Sequence, residues 1–126
     1  MTLDENKTLV QRFFDEVLNT GNVEALEGFL VPTTFFFGFM QKFVAEMARG
    51  FPGAQMAIDE LLGENDKVAV CTTLSGVNSG PLLGHPPTGK SVTITGIWVF
   101  TVRDSKIISM RFASDMAQKL WLAGDG

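Results

Sequence analysis

The hydrophobic period changes near Pro52, and this change constrains the fold more than any other feature of the chain. Before it, apolar residues recur three to four positions apart, as on one face of a helix; after it, they alternate, as on one face of a strand. Leu9, Val10, Phe13, Phe14, Val17 and Leu18 mark a first helix over residues 4–20. Gly21 suits the left-handed end of that helix, and Asn22 is placed to cap a short second helix carrying Leu26, Phe29 and Leu30, closed by Pro32. Phe36, Met40, Phe43, Val44 and Met47 form a third stripe that ends at Gly50 and Pro52.

The later segments 56–62, 68–75, 92–102 and 107–113 are rich in β-branched residues and bounded by turn signals, which predicts four strands. The segments 63–66 and 103–106 are short enough for hairpin turns, while 76–90, with its Gly and Pro content, is a longer loop. Helices followed by a mainly antiparallel sheet give an α+β class. At 126 residues, one domain spanning 1–126 is expected.

Segment 92–102 carries Val92, Ile94, Trp98 and Phe100 on one face, but Ile97 and Val99 beside Thr93, Thr95 and Thr101 on the other. Three helices cover one face of a sheet only. A second copy of the chain in a twofold homodimer is therefore expected on the opposite face. Gly96, in mid-strand, suits a bulge that bends the sheet around a cavity.

Ten Lys and Arg stand against 14 Asp and Glu, a formal charge of −4, so no basic stripe is available for nucleic acid or for an anionic membrane. The N-terminal residues are acidic and polar where a signal peptide is basic and then apolar, and no apolar run reaches the ~20 residues of a membrane span. A soluble, cytoplasmic protein is expected. With Cys71 and His85 the only residues of their types, an internal disulfide is excluded and a His/Cys metal centre is not expected. Cys71 reads as a small buried hydrophobe in a strand, and His85 as an exposed loop residue.

Several segments together resemble a known pattern. They are residues 6–17 (NKTLVQRFFDEV) with Asn19-Thr20-Gly21-Asn22, residues 84–90 (GHPPTGK), Gly96-Ile97-Trp98, Lys106-Ile107-Ile108 and Asp115. This pattern resembles the SnoaL-like polyketide cyclases, over nearly the whole chain. The resemblance implies the fold of nuclear-transport-factor-two-like proteins: three N-terminal helices on a curved four-stranded sheet, forming a cone with an internal pocket, usually in a homodimer. It also implies an intramolecular aldol ring closure without metal or organic cofactor, and an acidic general acid/base matching Asp115. A carboxylate in an apolar cone has its charged form disfavoured, which suits it for proton transfer near neutral pH.

The residues keep other readings of Asp115 open. An Asp directly before a helical stretch, here 116–122, is a favoured N-cap. Arg111, four residues earlier, falls on the same strand face and could pair with Asp115 to orient an anionic or carbonyl substrate. Candidate ligand-lining residues are Phe14, Val17, Met40, Phe43, Trp98 and Phe100, around a hydrophobic small molecule. The 32–43 segment is shorter than in the resembling family and is depleted in polar groups, and its phenylalanine cluster reads mainly as core. A ketosteroid-isomerase mechanism is disfavoured because the chain has no tyrosine to serve as oxyanion donor. Beside the cyclase stand a non-catalytic small-molecule binding or accessory protein and a purely structural dimerisation module.

Overall fold

A computed structural model of the chain describes residues 2–122. Helix α1 spans Leu3–Phe13. It starts where Thr2 and Glu5 form a reciprocal capping box: the Glu5 N–H donates to the Thr2 hydroxyl and the Thr2 N–H to the Glu5 carboxylate, each at 3.1 Å. Instead of running regularly to Thr20, the helix widens into a π-helical turn over Phe14–Leu18, with the Asn19 N–H on the Phe14 carbonyl at 2.9 Å. The extra residue in that turn lets the adjacent Phe13 and Phe14, and then Val17, all face the core.

Gly21, at φ +69°, ends this helix as expected. Asn22 does not cap the next one with its side chain; its N–H instead donates to the Thr20 hydroxyl at 3.1 Å. The second helix is a short 3₁₀ stretch, Val23–Gly28, which buries Leu26. Beyond it Leu30 bridges in parallel to Ile107, tying the helical half to the sheet. Helix α2, Phe35–Gly50, is capped by the Thr34 hydroxyl on the Phe37 N–H and buries Phe37, Met40 and Val44. The phenylalanine cluster is not all core: Phe37 is buried, but Phe35 is 94% exposed and Phe39, stacked on the flank of Phe43, is 50% exposed.

Four strands follow: β1 Gln55–Glu64, β2 Lys67–Val77, β3 Ser91–Arg103 and β4 Lys106–Ser114. They form an antiparallel meander in sequence order. The register breaks between Ile58 and Glu60 on β1 and between Thr101 and Val102 opposite β4. No bulge occurs at Gly96, which pairs regularly with Thr72 on one side and Ser114 on the other. What Gly96 provides is space: a Cβ there would lie 3.0 Å from Thr72 Oγ1 and 3.2 Å from a Phe112 ring carbon.

The inner sheet face carries Val68, Val70, Trp98 and Phe100, packed with Phe13, Phe14, Met40 and Val44 in one continuous core. Trp98 and Phe100 meet Phe14 edge to face, with centroids 5.3 and 5.9 Å away. A second, smaller cluster at the wide end joins Phe51, Leu74, Leu82, Ile94, Met116 and Leu120. The outer face is bare, with Ile97 58% exposed at its centre.

The loop between β2 and β3 covers 78–90, two residues shorter than expected because Gly76 and Val77 still pair with Val92 and Ser91, and it is ordered by Asn78, which is buried. Its amide donates to the carbonyls of Gly50 and Gly80, and its oxygen accepts from the N–H and hydroxyl of Thr88. Glu46 of α2, paired with Arg49, accepts from the Leu83 N–H and holds the loop from the other side. Among the described residues no helix is long and apolar enough to cross a membrane.

Candidate functional site

The candidate site lies between α2 and the inner sheet face, and one row of the sheet defines its floor. Ile58, Thr72, Gly96 and Ser114 are register partners on successive strands, so two hydroxyl side chains flank a glycine. Thr72 Oγ1 accepts the indole N–H of Trp98 at 3.1 Å and faces the Gly96 carbonyl at 3.5 Å. Ser114 Oγ accepts from the Met116 N–H at 3.2 Å. Above this row lies a cavity of about 20 Å³, walled by Phe43, Met47, Ile94 and Phe112. That is room for one water.

A second recess of about 130 Å³ adjoins it, between the end of the π-helical turn, α2 and β1. Asn19 shapes its mouth by gripping the main chain of Met56 in both directions, at 3.1 and 2.7 Å. Phe43, Met47, Met56 and Leu74 line both spaces, so these four side chains are the partition between them. Neither space has an Asp, Glu, His, Lys or Arg in its lining. Broader depressions of about 350 and 430 Å³ near Arg12 and near Arg103 are open to solvent and edged by charged surface side chains, unlike an apolar ligand site.

Asp115 ends β4 at the sheet edge. Its carboxylate accepts from the Thr95 N–H at 2.9 Å and the Thr95 hydroxyl at 3.3 Å, filling the ladder position that its own carbonyl would take. Lys119 Nζ lies 3.9 Å away. The side chain does not cap the terminal helical turn: the Asp115 carbonyl accepts from the Lys119 N–H, and Ser114 takes the Met116 N–H. Arg111 pairs with Val99 in the register, on the outer face, and is exposed. Among the described residues no ion pair joins Arg111 to Asp115.

Of the expected lining residues, Phe43 lines both spaces, whereas Phe14, Val17, Met40, Trp98 and Phe100 lie fully buried in the core beneath. Met47, Met56, Thr72 and Ser114 line the site without having been singled out by the sequence. Strand parity could have found Thr72 and Ser114, since both share the inward parity of Trp98; what hid them was their polarity. His85 is exposed and stacks on Trp121, ring centroids 4.1 Å apart. Cys71 is half-buried on the outer face, with Sγ 4.0 Å from a Glu60 carboxylate oxygen.

The family model described as SnoaL-like polyketide cyclase matches residues 8–120. Among solved structures, a candidate SnoaL-like polyketide cyclase from Jannaschia sp. CCS1 is 25% identical with a TM-score of 0.79, the match covering 93% of this chain and 92% of that one. TsrD from Streptomyces laurentii is 21% identical with a TM-score of 0.82, covering 97% and 98%. IdmH from Streptomyces antibioticus, a candidate polyketide cyclase, is 21% identical with a TM-score of 0.74, covering 94% and 98%. No curated protein matches the sequence.

Proposed function

The chain belongs to the SnoaL-like polyketide cyclase family, and from that premise we propose that it binds a neutral, hydrophobic carbonyl compound in its cone without turning it over. The observation that carries this reading is the lining: two adjoining spaces, the inner one apolar and the outer one mixed with Asn19 and Thr20 at its rim, with no titratable side chain in either wall. General acid/base catalysis needs such a group within hydrogen-bond reach of the reacting atoms. Methionine has three flexible torsions, so rotation of Met47 and Met56 joins the two spaces at small cost. An apolar cavity of about 150 Å³ holds a benzene-sized molecule.

A second reading keeps the family's ring closure, with Asp115 as acid/base and Arg111 as orienting cation. It is favoured by the family membership and by the flanking positions: Ser114 and Met116, on either side of Asp115, both line the inner cavity. It requires the carboxylate to leave Thr95. The two readings separate when the protein is incubated with flexible polyketone mimics and ring-closed product is followed by NMR. Binding without product is expected. Product formation that is lost in Asp115→Asn overturns the binding reading in favour of the cyclase.

The proposal includes a second copy on the outer sheet face. Asp59 and Glu60 lie at the β1 edge of that face and Arg111 at the β4 edge. A twofold axis running along the strands sets the arginine of each copy over the acids of the other. Such complementarity fixes register in an interface more than it adds affinity.

A further inference from the structure

We infer that the terminal turn, residues 116–122, is a lid on the inner cavity, pivoting at Asp115 and latched by the stack of Trp121 on His85, and that its lifting admits ligands larger than a single ring. The inference rests on the binding reading above and names how that site opens. Met116 walls the inner cavity, and with Leu120 it joins Leu74 and Ile94, two further residues of that wall, in the smaller core cluster. Lifting the turn therefore removes one wall of the cavity and bares two others to an incoming molecule.

The attachments of the turn differ in kind from those of the loop beside it. The loop is held through its main chain: the Gly80 N–H donates to the Gly50 carbonyl, the Leu83 N–H to the Glu46 carboxylate and the Gly89 N–H to the Asn78 carbonyl. From Ala117 onward, no main-chain N–H of the turn donates to any residue before Asp115 among the described residues. Side chains hold it instead. Lys90 Nζ donates to the Leu120 carbonyl at 3.2 Å and Lys119 Nζ to the Thr93 carbonyl at 3.1 Å, and Trp121 stacks on His85 at 4.1 Å. The pivot stays fixed, because the Asp115 carboxylate accepts from both the N–H and the hydroxyl of Thr95.

The closed turn also carries a penalty of its own. The Trp121 indole N–H is buried and has no acceptor among the described residues. A buried donor without a partner weakens the state that buries it by about fivefold or more. Lifting the turn returns that donor to water, which brings the open form closer to the closed one, as a moving element requires.

Acetophenone and 2-acetonaphthone, which carry the same ketone on one ring and on two, test this by NMR titration of the intact chain. The one-ring ketone enters past Met47 and Met56 and does not need the lid. The two-ring ketone needs the lid open, so its apparent affinity scales with the open fraction. Trp121→Ala breaks the latch and should tighten 2-acetonaphthone binding about three- to tenfold. Trp121→Phe keeps a stacking ring but removes the unpaired donor, and should weaken the same ligand about threefold or more. Acetophenone should stay within about twofold in both. A loss of packing alone would move the two variants in the same direction. Without ligand, native-state hydrogen exchange should release the Lys119 amide before the Gly89 amide of the loop. Equal exchange of these two amides, or shifts of 2-acetonaphthone affinity in the same direction in both variants, overturns the lid, while acetophenone binding keeps the binding reading standing. Failure of both ketones to bind overturns the binding reading, and the order of exchange then decides the lid by itself.

Discussion

The Asp115 carboxylate receives two hydrogen bonds from a single residue, Thr95: one from its N–H at 2.9 Å and one from its hydroxyl at 3.3 Å. The acid at the end of the last strand thereby closes the sheet ladder where β4 hands over to the terminal helical turn. This gives it a structural task independent of chemistry. Asp115→Ala should destabilise the fold by about 1–2 kcal/mol in urea denaturation, the range for charge-assisted hydrogen bonds at a partly exposed site. Acetophenone affinity should stay within about twofold, as the carboxylate is outside the lining.

Asn78 is the organiser of the 78–90 loop, with all four of its side-chain hydrogen bonds at 2.9–3.0 Å. Asn78→Ala leaves several buried main-chain groups without partners and should cost about 2–4 kcal/mol. Limited proteolysis should then cut first within this loop, because its clamp to α2 is lost.

The capping box predicts a defined acid dependence. Hydrogen bonds from the Thr2 main chain first, and its side chain second, hold the Glu5 carboxyl below its ordinary value of 4.5. A depressed acid contributes stability that is fully present above the unfolded value and is lost as pH falls through the folded one. NMR titration of Glu5 should give a midpoint below that of the same residue in Thr2→Ala. In Glu5→Gln, helix α1 should lose this part of its sensitivity to acid.

For the second copy, the proposed axis makes a charge-swap prediction. Ile97→Lys, at the centre of the bare face, should reduce the mass found by light scattering at micromolar concentration from dimer to monomer. Arg111→Glu should weaken the dimer, and Arg111→Glu combined with Glu60→Arg should recover it in part. A native protein that scatters as a monomer contradicts the twofold assembly.

Much of the fold was legible because two periods seldom mislead over long stretches. The stripe from Leu9 to Val17 and the alternation from Val92 to Phe100 each placed their residues on the correct faces. What periodicity does not report is a local change of helical pitch, so the π-helical turn at Phe14 was invisible. Gly96 looked like a bulge because mid-strand glycine has two physical uses, irregular pairing and the close approach of neighbouring side chains, and the sequence does not distinguish them. The site was less legible than the fold. The largest aromatic residues were expected to line the pocket, yet size drives them into the closed core, and the lining falls to Met47, Met56, Thr72 and Ser114. Asn78 and Glu46 stayed hidden because their partners are main-chain atoms far away in sequence.

The partition formed by Phe43, Met47, Met56 and Leu74 should open to a neutral ligand and exclude an anion. The most direct measurement labels the six methionine methyl groups and titrates the protein with acetophenone and, separately, benzoate. The expected result is saturable shifts at Met47 and Met56 with acetophenone, with Met40 much less affected in the core, and none with benzoate at the same concentrations. Benzoate binding as tightly as acetophenone, or shifts that spare Met47 and Met56, would contradict it.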